Sequence, residues 1–117
     1  MRISNNDSAI ILGSGTGYLA SCVSKLAKKV HAVDIYDDFI RDSEKNCVEH
    51  GIEDLKFNCL DINDSWEMLK DFNIIISTFS VESSEDIVSN MSNNSRAFIF
   101  TGNQNSPIKS GKIISKK

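Results

Sequence analysis

The chain has 117 residues, with 13 Lys/Arg against 16 Asp/Glu, 40% hydrophobic and 25% charged residues, and a single proline. That length holds one domain with one core over residues 1–117 and excludes a large separate substrate lobe, while the composition excludes collagen-like, disordered and disulfide-dense chains. Residues 1–106 carry nine Lys/Arg and all 16 Asp/Glu, a balance of −7, and residues 107–117 carry four lysines, so an acidic body argues against a nucleic-acid partner.

A polar lead over residues 1–7 has no apolar run of the kind a signal peptide needs. Ser8-Ala9-Ile10-Ile11-Leu12 is a continuous apolar strand ending in the glycines of Gly13-Ser14-Gly15-Thr16-Gly17. Tyr18 to Lys29 has helical spacing, with Leu19, Cys22, Val23, Leu26 and Val30 forming its apolar stripe. Val30 to Ile35 reads as a second strand, and Asp37 to His50 as a second helix on Phe39, Ile40, Cys47 and Val48, with Gly51 placed as its C-cap. Leu55 to Cys59 is a third strand. Ser65 to Lys70 is a short helix capped by Asp64, with Glu67 three positions on. Ile74-Ile75-Ile76, within Phe72 to Thr78, suits a central strand buried on both faces. Ser84 to Met91 is a helix and Arg96 to Thr101 a fifth strand. The polar, lysine-containing tail over 103–117 holds Lys112-Ile113-Ile114 as an edge-strand candidate.

Strands alternating with helical segments predict a doubly wound, Rossmann-like, mostly parallel α/β sheet of five to six strands. Such sheets bind ligands at the carboxyl ends of their strands, near the reversal of strand order. No run is long and apolar enough to span a membrane. Three scattered cysteines, Cys22, Cys47 and Cys59, form neither metal spacing nor a disulfide framework. Each is expected to be a small buried apolar side chain, and a cytoplasmic protein is the expectation.

Distinctive polar residues fall at the strand ends. The glycine loop sits between strand and helix, where it admits a ligand close to the backbone and presents amides at a helix start. Asp34 ends the second strand 21 positions after Gly13, where a carboxylate can accept hydrogen bonds from ribose hydroxyls. Asp37 and Asp38 suit the start of the following helix. Asp61 ends the third strand and can accept from an exocyclic amine, with Ile62 or Ile35 covering the face of a base; the competing reading makes Asp61 a loop residue. Ser77, Thr78, Phe79 and Ser80 end the fourth strand, and either line the reactive end of a cleft or form a turn. A dinucleotide site wants G-x-G-x-x-G, but the sixth position here is Tyr18, with Gly17 one place earlier. The G-x-G-x-G form suits a nucleoside cofactor without a pyrophosphate, and S-adenosylmethionine fits better than NAD.

In these motifs the chain resembles the class I S-adenosylmethionine-dependent methyltransferases. Ala9 to Tyr18 resembles the first motif, Val33-Asp34-Ile35 the acidic motif of the second strand, Leu60-Asp61-Ile62 the adenine-contacting segment, and Phe72 to Thr78 the fourth-strand motif. G-S-G-T-G-Y followed by an alanine-containing helix looks most like the protein-L-isoaspartate O-methyltransferases. The resemblance implies a minimal methyltransferase core in which Gly13, Ser14, Gly15 and Gly17 lie along the methionine part of the cofactor. It places Asp34 at the ribose and Asp61 with Ile62 at adenine, while Ile35 stays a candidate for the base face and Ser77 for the reactive end by their strand-end positions.

The chain departs from the family in having Ile11 and Asn73 where acids are usual, and relative to the family it is expected to be shortened at both ends. Methyl transfer is an in-line displacement served by positioning, so no catalytic residue is singled out and no metal is expected. The expected function is methyl transfer from S-adenosylmethionine to an unidentified acceptor, possible acceptors including a protein carboxylate. The alternatives are a catalytically reduced subunit that binds the cofactor or S-adenosylhomocysteine, and a nucleotide- or NAD-binding module. An open edge on the fifth strand predicts a homodimer.

Overall fold

The computed structural model describes residues 3–13, 18–49, 51, 54–77, 84–101 and 110–115. Its elements are β1 (Ser8–Leu12), α1 (Tyr18–Ser24), β2 (Lys29–Asp34), α2 (Asp37–Glu49), β3 (Leu55–Cys59), two 3-10 helices (Ile62–Asp64 and Trp66–Asp71), β4 (Ile74–Ser77), α3 (Ser84–Asn90), β5 (Arg96–Thr101) and β6 (Ser110–Ser115). They build one six-stranded sheet in the order β3-β2-β1-β4-β5-β6, with β6 antiparallel and every other pairing parallel. This is the expected Rossmann-like architecture. Strand order reverses between β1 and β4, which have Leu12 opposite Ser77 in register.

Side-chain alternation divides the core into two layers. Ile10, Leu12, Ile75, Ala97 and Ile99 form one face, packed with Leu69 of the second 3-10 helix and Ile87 and Met91 at α3. Ala9, Ile11, Val30, Ala32, Ile74 and Ile76 form the other, under Ala20, Val23 and Ala27. The uncharged runs of β1 and β4 are buried on both faces because helices cover both sides of a parallel sheet.

Several local expectations change. The first helix ends at Ser24 rather than Lys29. Leu26 and Ala27 close its last turn onto the Val23 carbonyl, and the Lys28 N–H then bonds the Asp7 carbonyl at 2.9 Å, which draws the chain into β2. The buried stripe is consequently Ala20, Val23 and Ala27, while Leu26 is 54% exposed and Cys22 is exposed. Phe39 likewise leaves the apolar stripe of α2 and stands 40% exposed. Of the three cysteines only Cys47 is buried.

The third crossover is 3-10 rather than α-helical. Its cap is Asp61, whose carboxylate accepts the Asn63 N–H at 2.9 Å. Asp64 lies inside the first 3-10 helix, and Ser65, before the second, makes no side-chain capping bond. Gly51, at φ +64°, turns the chain out of α2 as its C-cap position requires. The tail candidate forms β6, pairing Ala97 with Ile114 and Phe98 with Ile113. The edge of β5 is therefore filled from within the chain, which removes the reason for pairing it with a second copy.

Candidate functional site

The carboxyl ends of the parallel strands converge where β1 leaves β2 and meets β4. Gly13 follows Leu12 directly; its φ of 73° is a conformation that side-chain-bearing residues rarely adopt. Its N–H bonds the Val33 carbonyl at 3.0 Å, which locks the start of the glycine loop to the residue before Asp34. The remaining loop residues singled out from the sequence, Ser14, Gly15 and Gly17, lie outside the described residues, as do Thr78, Phe79 and Ser80.

Asp34 is 7% exposed at the last position of β2. One carboxylate oxygen accepts the Tyr36 N–H at 3.0 Å, and its carbonyl accepts the Leu60 N–H at 3.0 Å. An Asx turn thus fixes the acid's rotamer at the strand end. Cys59 stands opposite Asp34 in register, and its exposed thiol donates to the Ile35 carbonyl at 3.4 Å. Ser77 ends β4 with no exposed surface. The structure therefore brings Gly13, Asp34 and Ser77 to the ends of three adjacent strands.

The two candidates for the base face separate. Ile35 is 57% exposed beside Asp34, whereas Ile62 is 7% exposed and packs into the core with Leu12 and Val33. Asp61 is half-buried, and the oxygen that accepts the Asn63 main-chain N–H also takes the Asn63 side-chain amide at 3.0 Å. Its capping role is thus realised in the structure. A buried carboxylate at a strand end, a positive-φ glycine beside it and an exposed aliphatic ledge suit a ribose, a close-lying backbone partner and a base. The described residues fit the nucleoside portion of S-adenosylmethionine.

Sequence reasoning leaves Tyr36 unremarked and sets Phe39 in the apolar stripe of α2. Tyr36 is 64% exposed, and its ring meets that of Phe39 edge-on at 5.7 Å between centroids. The available signal was Tyr36 within the acidic run Asp34 to Asp38 and Phe39 directly after it. A second feature, legible only in three dimensions, lies at the opposite end of the strands. Asn73 donates to the Asp7 carboxylate at 2.6 Å and accepts the Ser8 N–H at 2.7 Å, with Arg96 lying 3.6 Å from Asp7. The position where an acid is usual thus belongs to a structural clamp remote from the site. Among the described residues no group of three or more His, Cys, Asp or Glu could hold a metal, and no helix is long and apolar enough to cross a membrane.

Similarities to known proteins agree with this geometry. A transfer RNA (m1A58) methyltransferase from Aquifex aeolicus superposes with a TM-score of 0.74 at 17% identity, over 88% of this chain and 43% of that one. A protein-L-isoaspartate O-methyltransferase gives 0.71 at 21% identity, over 85% and 32%. A protein from Streptococcus mutans, solved with S-adenosylhomocysteine, gives 0.66 at 16% identity, over 85% and 65%. These likenesses show a shared fold. In sequence, an uncharacterised RNA methyltransferase from Fusobacterium nucleatum is 43% identical over 44 residues, which are 38% of this chain and 10% of that protein. The chain thus spans only part of the proteins it resembles. The model of the protein-L-isoaspartate(D-aspartate) O-methyltransferase family matches residues 1–99. By that match the chain belongs to the protein-L-isoaspartate(D-aspartate) O-methyltransferase family.

Proposed function

We propose that the chain binds S-adenosylmethionine across the carboxyl ends of β1, β2 and β4 and serves methyl transfer to a carboxylate of a damaged polypeptide. The observation that carries this reading is the buried Asp34, held at the end of β2 beside Gly13, in a chain whose family match extends from residue 1 to residue 99. Bound there, the donor supplies an electrophilic methyl group. In this assignment Gly13, Ser14, Gly15 and Gly17 form the loop along the methionine part. Asp34 takes the ribose and Ile35 one base face, Asp61 borders the adenine with Ile62 packed in the core behind it, and Ser77 closes the floor of the cleft.

A carboxylate acceptor is already ionised at neutral pH, so the protein's task is to orient it and keep water away. No general base is required, which suits a site whose described strand ends offer Asp34 and Ser77 and no histidine. Titration calorimetry with S-adenosylhomocysteine tests donor binding, and a thermal shift of several degrees at saturation is expected, with none from NAD. Methyl incorporation into an isoaspartyl peptide, against its aspartyl twin, tests the acceptor. Heat uptake without discrimination between the peptides would retain the donor site and discard the acceptor.

A further inference from the structure

The donor site accounts for Ile35 and leaves two exposed aromatic rings beside it unused. Tyr36 and Phe39 are 64% and 40% exposed, and their edge-on contact at an interplanar angle of 76° holds them as one raised apolar ledge. Leaving such rings in water forgoes about 25 cal/mol for each Å² of apolar surface that a partner could cover. The residues around them define that partner's charge. Asp37 and Asp38 open α2 and are exposed, Asp61 and Asp64 follow β3, and Glu85 and Asp86 open α3. Asp37 and Asp38 stand between Tyr36 and Phe39 in the chain, and Asp61 follows Cys59, which pairs with Asp34 in register. Arg41, two positions after Phe39, is already paired with Asp37.

An aromatic face with carboxylates beside it complements a side chain that is apolar along its stem and cationic at its tip. Lysine and arginine have that form, and a cation over a tyrosine face adds to the attraction of the acids. A polyphosphate backbone would instead meet like charge. We propose that the Tyr36–Phe39 ledge, with Asp37 and Asp38, docks an arginine- or lysine-bearing segment of the polypeptide acceptor. The identification of the docked segment as acceptor rests on the methyl-transfer reading above; the docking itself does not.

The test is fluorescence anisotropy with the full chain and three labelled probes: a short arginine-containing isoaspartyl peptide, its twin with glutamate for arginine, and a single-stranded RNA of similar length. The basic peptide should bind at least about 10-fold more tightly than its twin and than the RNA, and weaken as salt is raised. Tyr36→Ser, Phe39→Ser and Asp38→Asn should each weaken the basic peptide about 3- to 10-fold, while circular dichroism confirms folding. Asp38→Asn should leave S-adenosylhomocysteine affinity unchanged. Equal binding of the acidic twin, tighter binding of RNA, or indifference to both aromatic substitutions in folded protein would overturn the proposal. Loss of donor binding with the peptide preference intact would instead remove the methyl-transfer reading and leave the docking surface standing.

Discussion

In the proposed donor site Asp34 serves structure and ligand together. Its carboxylate holds the Tyr36 N–H at 3.0 Å while being 7% exposed, so Asp34→Ala removes a turn as well as a ligand group. That variant should lose about 1–3 kcal/mol in urea unfolding without ligand. Asp34→Asn keeps the acceptor oxygen and should unfold nearly as the parent does, yet bind S-adenosylhomocysteine more weakly by calorimetry. Equal affinity in the parent and Asp34→Asn would make this acid purely structural.

Asn73→Asp addresses the other end of the strands. It sets a second carboxylate where an amide now donates to Asp7 at 2.6 Å, and a loss of about 2 kcal/mol or more is expected in the same assay, despite Arg96 nearby. Cys47 is the residue-scale prediction in pH. Burial pushes its thiol up from the ordinary value, so the folded state favours the protonated form. Its stabilising contribution is complete below the ordinary thiol range and is lost as pH rises through the raised value. Urea midpoints should therefore fall more steeply in alkali for the parent than for Cys47→Ala. Native thiol titration should find Cys22 and Cys59 reactive and Cys47 protected.

At the scale of elements, periodicity was a good guide wherever a segment is buried on a single plan. The runs Ser8–Leu12, Leu55–Cys59 and Arg96–Thr101 are strands with the boundaries their side chains suggest. It misled at α1, where Leu26 fits the helical stripe but lies beyond a helix end imposed by the Lys28–Asp7 bond. The segment after β3 shows a related conflict: Asp64 and Glu67 spell a capping box, but Asp61 caps a 3-10 turn first. β6 makes a testable contribution. A chain ending at residue 109 should unfold at lower urea and self-associate by light scattering, because the β5 edge then exposes unpaired backbone groups. A truncated monomer with an unchanged midpoint would show that β6 adds no stability.

At the scale of the whole molecule, the sheet order β3-β2-β1-β4-β5-β6 brings separate strand ends side by side, where the proposed donor site lies. Gly13, Asp34 and Ser77 are distant in sequence, and parallel register delivers them to a common rim. Asp37 and Asp38 follow Asp34 at the start of α2, and Asp61 and Asp64 follow the neighbouring β3, so this corner carries more negative charge than the net −3 conveys.

By itself the sequence determined the α/β alternation, the glycine turn and the acid at the end of β2. Each is a local pattern whose physics operates within a few residues: uncharged runs, a φ open to glycine, a carboxylate at a strand end. Tertiary structure alone decided that Ile62 enters the core while Ile35 stays outside, that Asn73 clamps Asp7, that β6 closes β5, and that Tyr36 and Phe39 stand out as a ledge. Those outcomes depend on which surfaces compete for the same volume, and that competition exists only once the strands have taken their order.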